Sequence, residues 1–579
     1  MKHSLLRLLL VFCLALPVSF ACSKSDKTPS EQNAEQSFPE HEGYRIYAVD
    51  ETGWDALYVY MYGTVNDLGG KWPGIKTGGK LTVNKQQYVY FDLPVEGAYG
   101  ATEKLIFNNG SGKQISKEPS LNFGEKADYF FTVTADGATA FNGGSEWTVT
   151  VDNGPIKAEA SKISEIAAAE RNAWRIYQVN PKLYGSSGAF TKIQARLDDI
   201  AALGTDVLYL MPVYKEGKKN AIGSPYCISD FTALNDAYGT LEELQALVNA
   251  AHEKGMKVIF DWVANHTAWD HPWISAHKDW YKQDASGNIV CPTADGTWSD
   301  VAQLNHANAA LRAEMTAALQ HWVTTLGIDG YRCDYAHGPT GRNVGDMDTF
   351  WKEAIAALRA QHPDLIMLAE SDFTKMFDDG FDIIFSRASK SRLVSVFGGS
   401  SPSNFFSAYK SAINAAPAPK TVLLYVTNHD DATEASPVSE FRSKEGALAA
   451  FILMRALNTS TMIYGSQEVG YGSTINFFKT STFSWTAEAD YFAAYKKTMT
   501  ALTHIDRNQD ATVYAAGPLV LLAYPDALVA VNTSERDVEA TLPAALVGQI
   551  YGDEITGSGV TLSATLPVKA YEYRILVKN

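Results

Sequence analysis

The segment LEELQALVNAAHEKGMKVIFDWVANH (241–266) joins an amphipathic helical pattern to an almost entirely apolar strand that ends in polar residues. Leu and Ala recur at helical spacing over 241–255, whereas KVIFDWV (257–263) lacks the alternation of a half-exposed strand. This combination is typical of a parallel sheet covered by helices. Seven further segments have the same strand character: WRIYQV (174–179), DVLYLMPV (206–213), IDGYRCDY (328–335), DLIMLAES (364–371), FDIIFS (381–386), TVLLYVTN (421–428) and STMIYGS (460–466). Eight such strands over roughly 340 residues predict an α/β fold, a (β/α)8 TIM barrel.

The regions on either side of the barrel have a different pattern. Over 44–152, short alternating strands such as ALYVYMYG (56–63) are separated by Gly, Asn and Asp turns, which predicts a β-sandwich module. The barrel is predicted over 158–507, with a helix in KISEIAAAERN (162–172) and a short insertion after strand 3 at 267–304. Short strands return over 508–579 and predict a C-terminal antiparallel β domain, a small sandwich.

The first 43 residues predict export and anchoring rather than folding. Residues 1–21 carry Lys2 and Arg7 before an apolar stretch too short to span a bilayer, as in a signal peptide. Together with Cys22 they resemble a bacterial lipoprotein signal, and the polar run 22–43 is typical of a flexible tether. We therefore expect a lipid on Cys22 and a place in the cell envelope, on the periplasmic or surface face of the outer membrane. Ordinary cleavage near Ala21 with a free Cys22 is the alternative.

The net charge and the cysteine spacing exclude some classes of partner and cofactor. The 579 residues are 46% hydrophobic and carry a formal charge of -16, which argues against nucleic acid as a partner because phosphate binding needs clustered Lys and Arg. Cys227, Cys291 and Cys333 have no zinc-ligand spacing, and a disulfide between Cys227 and Cys291 is allowed but not required.

Polar side chains follow four of the predicted barrel strands, where the catalytic residues of such barrels lie. They are Asp261, Asn265 and His266 after strand 3, Arg332 and Asp334 on strand 4, Glu370 after strand 5, and Asn428, His429 and Asp430 after strand 7. Arg332 and Asp334 are two apart, so they share a strand face and the guanidinium can keep the carboxylate ionised as a nucleophile. Glu370 suits a general acid with a raised pKa. Two such carboxyl groups predict glycoside hydrolysis, with retention and inversion both open.

Each of these groups alone has a structural explanation. A strand-end His can be hydrogen-bonded scaffolding, Arg332 and Asp334 can be an ion pair, and NHD (428–430) can form a turn or helix cap. All of them at successive strand ends favour a functional site, because buried charges without a task cost several kcal/mol each.

The segments DWVANH (261–266), GYRCD (330–334), LAES (368–371), VTNHD (426–430) and DVAQLN (300–305) resemble the five conserved regions of glycoside hydrolase family 13, the α-amylase family. The resemblance covers about residues 171–579. It implies that Asp334 is the nucleophile, Glu370 the acid/base and Asp430 the stabiliser of the transition state. Its implied substrate-site residues are Tyr226 stacking under the sugar, His266 and His429 donating hydrogen bonds, Arg332 orienting the nucleophile, Asp261 in support, and His337.

The resemblance also implies an activity. We expect a retaining hydrolase of α-1,4-glucosidic bonds in starch or maltooligosaccharides, acting by double displacement. The alternatives are a neopullulanase-like or cyclodextrinase-like enzyme, a transglycosylating enzyme of the same family, or a glucan-binding surface protein without turnover.

Two positions depart from the family pattern. Gln303 stands where calcium-binding members often have Asp, and a neutral amide is a poorer calcium ligand than a carboxylate. Asn265 remains as a candidate ligand, so calcium is doubtful and no cofactor is expected to be required. After the nucleophile, DYAHG (334–338) carries His337 without the usual preceding Lys, so recognition on the leaving-group side is expected to differ.

The N-terminal module more loosely resembles the starch-binding modules attached to amylases. Tyr60 and Tyr62 are two residues apart and therefore share one face of a strand. Trp72 lies in a turn where its indole ring can stack on glucose, and Asn108 can form hydrogen bonds with sugar hydroxyl groups. The alternative is that the tyrosines belong to the sandwich core.

Overall fold

The computed structural model describes most of the chain in two compact units, which divide between Asn153 and Gly154. The predicted signal peptide, Cys22 and the tether lie outside the described residues. In the part of the chain that is described, no helix is both long and apolar enough to cross a bilayer. The described ranges are 44–62, 71–83, 86–93, 103–121, 128–141, 149–150, 155–337 and 344–578.

The N-terminal unit is a sandwich of two sheets. Its strands are β1 (Arg45–Asp50), β2 (Tyr58–Tyr62), β3 (Ile75–Lys76), β4 (Gly79–Val83), β5 (Gln86–Asp92), β6 (Glu103–Asn108), β7 (Ser120–Leu121), β8 (Asp128–Val133), β9 (Ala138–Phe141) and β10 (Val149–Thr150). The sheet orders are β10-β4-β5-β1-β8-β9 and β3-β2-β6-β7. Alternate residues of facing strands, such as Ile46, Val59 and Phe107, form one shared apolar core, as period-two alternation requires.

The second unit begins with two strands and continues into the barrel. The strands are β11 (Ile156–Glu159), β12 (Ser161–Ile166), β13 (Arg175–Val179), β14 (Val207–Leu210), β15 (Tyr214–Glu216), β16 (Ile228–Leu234), β17 (Lys257–Val263), β18 (His266–Ala268), β19 (Val301–Gln303), β20 (Gly330–Asp334), β21 (Ile366–Ala369), β22 (Ile383–Phe385), β23 (Thr421–Tyr425) and β24 (Ser460–Tyr464). The closed barrel is β13-β14-β17-β20-β21-β22-β23-β24, all parallel, which confirms the eight predicted strands.

Helices follow most of the barrel strands, and shorter ones lie in the insertion after the third strand and beside the mouth of the barrel. They are α1 (Ala189–Gln194), α2 (Leu197–Ala202), α3 (Leu241–Glu253), α4 (Trp273–Ala276), α5 (Ala309–Leu326), α6 (Val344–Gln361), α7 (Arg387–Phe397), α8 (Pro402–Ala415), α9 (Asp431–Glu434), α10 (Pro437–Glu440), α11 (Lys444–Arg455) and α12 (Ala489–Ala501). Helix α3 begins at a capping box in which Thr240 and Glu243 satisfy each other's backbone N–H groups. Helix α5 ends at Gly327, whose φ of 67° suits a residue without Cβ.

The C-terminal domain includes strands from far upstream. Its own strands are β25 (Ala511–Ala516), β26 (Leu519–Ala523), β27 (Ala527–Asn532), β28 (Val538–Thr541), β29 (Ile550–Asp553), β30 (Gly559–Thr561), β31 (Thr565–Val568) and β32 (Tyr573–Val577). The sheet orders are β11-β28-β31 and β12-β25-β26-β27-β32-β29-β30. The predicted helix over 162–172 is wrong, since β12 pairs antiparallel with β25 and coil follows it. Within 508–579 the described strand pairs are antiparallel, as predicted, and the upstream strand β11 adds a parallel pair with β28.

The insertion after the third barrel strand is closed by β18 pairing with β19. Of its four tryptophans, Trp280 is buried, and Trp273 packs edge-on against it with ring centroids 5.0 Å apart. Cys227, Cys291 and Cys333 are all free thiols, so the disulfide that the sequence allowed is not formed.

Candidate active site

A cavity of about 840 Å³ opens at the carboxyl ends of the barrel strands. Seven residues predicted from the sequence line it: Tyr226, His266, Asp334, His337, Glu370, His429 and Asp430. Asp261 and Arg332 lie beneath, fully buried, and Asn265 is buried outside the lining. The barrel therefore brings the predicted acidic and histidine side chains into one space.

Arg332 lies between three carboxylates. Its Nη1 donates to Asp261 Oδ1 at 2.8 Å and to Asp334 Oδ1 at 3.0 Å, and Nη2 lies 2.9 Å from Glu370 Oε2. The contact with Asp334 follows from their spacing of two on β20, which puts both side chains on one face. Since Arg332 is completely buried, its charge acts on these carboxylates with little screening by water.

Asp261 holds the floor of the cavity. It accepts hydrogen bonds from the hydroxyl groups of Tyr209 and Tyr226, the latter at 2.9 Å. Tyr226 Oη lies 2.8 Å from His429 Nε2, and Gln178 Nε2 donates to His429 Nδ1 at 2.9 Å. The proton of His429 is thereby placed on Nε2. Burial lowers the pKa of His429 to about 3, so the ring is neutral.

The two central carboxyl groups differ in proton affinity, and in the opposite sense to our expectation. Burial raises the pKa of Asp334 well above its usual value, despite Arg332. Burial also raises that of Glu370, but Arg332 and Arg387 outweigh it, so the pKa of Glu370 is lowered. The expectation differs because it paired Arg332 with Asp334 alone. In the structure Arg332 also contacts Glu370, and Arg387 adds a second positive charge beside Glu370. The free cavity therefore favours a proton on Asp334 over one on Glu370.

Arg387 is the charged group that our sequence reasoning missed. It begins α7, directly after the sixth barrel strand, and its Nη2 donates to Glu370 Oε1 at 2.6 Å. Its Nη1 donates to Asp372 Oδ2 at 2.8 Å, and 40% of the side chain is exposed. The sequence FDIIFSR (381–387) contained the information, because Arg387 follows a barrel strand. The same search for polar residues after strands 3, 4, 5 and 7 would have found it after strand 6.

The backbone after Asp334 adopts an uncommon conformation. Tyr335 has a φ of 44°, in the left-handed region, and its N–H donates to Glu370 Oε2 at 2.8 Å. His337 lies between Tyr335 and Phe373, with ring centroids 4.8 and 4.9 Å away. His337 is thus held at the cavity wall by aromatic packing.

The remaining walls combine aromatic rings with the carboxyl groups of Asp430, Asp300, Asp372 and Glu434. Asp430 is 53% exposed, and its partial burial together with the Glu370 charge raises its pKa to about 6. Burial lowers the pKa of His266 to about 4, which leaves it neutral. The cavity is also lined by aromatic rings that were not predicted as substrate-site residues: Trp298, Tyr335, Phe373, Phe477 and Phe478. Phe373 is 55% exposed and offers an apolar face at the cavity.

The residues at the candidate calcium position fit that ion poorly. Gln303 Nε2 faces Asn265 Oδ1 at 3.5 Å, so one neutral amide is turned toward the other. Gln303 Oε1 is buried without a hydrogen-bond partner among the described residues. Those residues contain no group of three or more His, Cys, Asp or Glu placed to hold a metal. Calcium binding favours several oxygen ligands, with carboxylates among them.

In the N-terminal unit the three predicted rings form a partly exposed cluster on β2 and the following turn. Tyr60 stacks on Tyr62 with centroids 6.4 Å apart, and Trp72 meets Tyr60 edge-on at 5.5 Å. Trp72 is 45% exposed. Asn108 is wrong as a ligand candidate, because it is fully buried and its Nδ2 donates to the carbonyl oxygen of Pro73 at 3.0 Å.

Comparison with known proteins agrees with this geometry. The family model for the α-amylase catalytic domain matches residues 141–511. The chain is 26% identical over 348 residues to the α-amylase MalA of Haloarcula japonica, covering 58% of this chain and 49% of that protein. It is 34% identical over 225 residues to the α-1,4-glucan:maltose-1-phosphate maltosyltransferase of Rhodospirillum rubrum, covering 35% and 31%. The chain therefore spans half or less of the length of these curated relatives.

Solved structures show the same architecture. An α-amylase from Lactobacillus plantarum superposes with a TM-score of 0.60 at 25% identity, covering 70% of this chain and 98% of that one. A maltogenic α-amylase, AmyB of Thermotoga neapolitana, gives a TM-score of 0.58 at 21% identity with the same coverage, which shows the fold alone. With a matching family model over more than half of its length, the chain belongs to the α-amylase family, glycoside hydrolase family 13.

Proposed function

We propose that this protein is a retaining hydrolase of α-1,4-glucosidic bonds in starch or maltooligosaccharides. The observation that carries the proposal is the shared contact of Asp334 and Glu370 with Arg332, at the wall of a cavity that Asp430 also lines. This arrangement holds two carboxyl groups of different proton affinity at the wall of one sugar-sized space.

The proposed reaction has two displacements. Asp334 attacks the anomeric carbon while Glu370 protonates the departing glycosidic oxygen, which gives a glucosyl ester on Asp334. Glu370 then takes a proton from water, which attacks the same carbon and releases Asp334. Asp430 stabilises the positive charge on the sugar in both transition states. Neutral His429, whose Nε2–H donates to Tyr226 Oη in the free cavity, would exchange this partner for a sugar hydroxyl group. The first displacement needs Glu370 protonated and Asp334 ionised, which is the reverse of the order of their pKa values in the free cavity.

The experiment that tests this function is incubation with soluble starch, pullulan and cyclodextrin, with products separated by chromatography. New maltooligosaccharide reducing ends from starch are expected, and their absence from all three substrates would leave glucan binding or glucosyl transfer. We also propose that no calcium is required, because Gln303 and Asn265 supply only neutral amides. The starch reaction is therefore expected to keep its rate in EDTA.

Transfer to a second sugar is the competing outcome, favoured by the similarity to a maltosyltransferase. It uses the same glucosyl ester and differs only in the acceptor that enters the cavity. Products longer than the substrate, formed early from pure maltotetraose, would identify transfer as the main reaction.

Arg387→Met tests the role of the Arg387 to Glu370 contact. Removing the guanidinium raises the pKa of Glu370, because Arg387 is one of the two charges that lower it. The acid must be protonated to act, so activity is lost as pH rises through this pKa, and the alkaline limb of kcat/KM is expected to move up by about one pH unit. Arg392→Met, an exposed arginine on the same helix, is the control and should leave the limb in place. An unchanged alkaline limb in Arg387→Met would show that Arg387 does not lower the pKa of Glu370.

We propose that the N-terminal module holds glucan chains through Tyr60, Tyr62 and Trp72. Its partly exposed ring cluster supports this, since flat apolar faces stack on sugar rings. Trp72→Ala is expected to weaken binding to insoluble starch about tenfold while kcat on maltotetraose stays unchanged. Lys80→Ala, on the other sheet, is the control. Equal starch binding by Trp72→Ala and the native protein would show that these rings serve only the packing of the sandwich.

We propose further that the protein is a lipoprotein of the bacterial outer membrane, anchored through Cys22. Support comes from the sequence of residues 1–43 alone. Mass spectrometry of the mature N-terminal peptide tests it, since a diacylglyceryl mass on Cys22 is expected and an unmodified cysteine would contradict it.

A further inference from the structure

A second cavity, of about 320 Å³, lies at the opposite end of the barrel from Asp334 and Glu370. Arg175, the first residue of β13, and Asp206, directly before β14, mark the amino ends of two barrel strands. Arg455, the last residue of α11, and Arg507, which precedes β25, complete its charged lining. We refer to this space as the basal cavity.

The basal cavity contains more positive than negative charge. Its single carboxylate, Asp206, forms an ion pair with Arg175, whose Nε donates to Asp206 Oδ2 at 2.8 Å. Arg455 and Arg507 form no ion pair with any described residue. Arg507 Nη1 donates only to the carbonyl oxygens of Leu457 and Arg455, at 3.2 and 3.5 Å. Three guanidinium groups therefore face one carboxylate.

Arg455 is the group that this arrangement leaves without a partner. It is 3% exposed, its side chain donates no hydrogen bond to a described residue, and its Nη1 is buried and unsatisfied. Burial and the charges of Arg507 and Arg175 lower the pKa of Arg455 well below its usual value. The carbonyl end of α11 offsets part of this charge, but a buried cation without a hydrogen-bonded counter-ion remains unfavourable.

We propose that the basal cavity binds a tetrahedral oxyanion of the phosphate or sulfate class between Arg455 and Arg507. A guanidinium group presents planar pairs of N–H donors that match the oxygen pairs of such anions. The cavity has room for one, and Arg175, 31% exposed at its edge, leaves a route from solvent. Water can satisfy Nη1 but brings no compensating charge. The site is remote from the proposed catalytic residues and does not depend on their function.

Thermal unfolding of the full protein at constant ionic strength tests the proposal. Inorganic phosphate is expected to raise Tm saturably by about 2 °C or more, because it binds only the folded state. Arg455→Met should lose this response, whereas Arg392→Met, which removes an exposed arginine elsewhere, should keep it. An equal rise in Arg455→Met, or an equal rise with chloride, would overturn the proposal.

A second measurement applies even where Arg455→Met fails to fold. Crystals of the native protein soaked in selenate should show an anomalous difference peak within hydrogen-bond distance of both Arg455 and Arg507. A crystal with no peak there at saturating selenate would also overturn the proposal.

Discussion

Asp334→Asn is expected to reduce kcat on soluble starch by about 10⁴-fold or more, since an amide cannot form the glucosyl ester. The substitution keeps the size of the side chain and its contact distance to Arg332 Nη1, now 3.0 Å. Removing one of three carboxylates around Arg332 should therefore leave the fold intact. Initial rates of reducing-end formation measure the loss, and pull-down on insoluble starch measures binding.

The combination of results decides between an enzyme and a binding protein. Lost turnover with retained starch binding is expected. Asp490→Asn, an exposed aspartate in the first turn of α12, is the matched control and should keep the native rate. Native-level turnover in Asp334→Asn would remove Asp334 from the mechanism.

Glu370→Gln is expected to lower kcat/KM on starch by roughly 10³-fold, because the departing glucan then leaves without a proton. The loss should depend on the leaving group. With α-maltosyl fluoride, whose fluoride departs unprotonated, formation of the glucosyl ester should be nearly as fast as in the native protein. Burst kinetics of fluoride release measure this step separately from the hydrolysis that follows.

Azide separates an acid/base role from a structural one. It needs no base to attack the ester, so azide should speed turnover of the fluoride by Glu370→Gln and yield α-maltosyl azide. Glu314→Gln, exposed on α5, should behave as the native protein does. Equal losses on starch and on the fluoride, with no effect of azide, would show that Glu370 only supports the site.

The barrel was predictable because its signal is local, whereas the strands that flank it depend on distant partners. KVIFDWV (257–263) is buried along nearly its whole length, and the sequence shows this directly. Ser161–Ile166 is different, since it precedes an Ala-rich stretch with helical propensity. Its strand conformation comes from pairing with Ala511–Ala515, some 350 residues away, which local patterns do not contain.

The positions of the site residues were predictable to the same degree, but their electrostatics were not. Strand ends located Asp334, Glu370 and Asp430, because a closed parallel barrel brings all its carboxyl ends to one face. The order of the pKa values of Asp334 and Glu370 depends on the contacts of Arg332 with both carboxyl groups and of Arg387 with Glu370. These contacts are distances in space, which the spacing of residues along the sequence does not give. In the same way, burial of Asn108 removed a ligand that the residue type alone suggested.

The measurement that tests the central claim most directly is proton NMR of the first products from maltoheptaose, recorded before mutarotation. Attack by Asp334 followed by attack of water inverts the anomeric carbon twice, so the account predicts that the new reducing ends appear first as the α-anomer. New ends that appear first as the β-anomer would show a single displacement and contradict the assignment of Asp334 as nucleophile. No new reducing ends at high protein concentration would contradict hydrolysis itself.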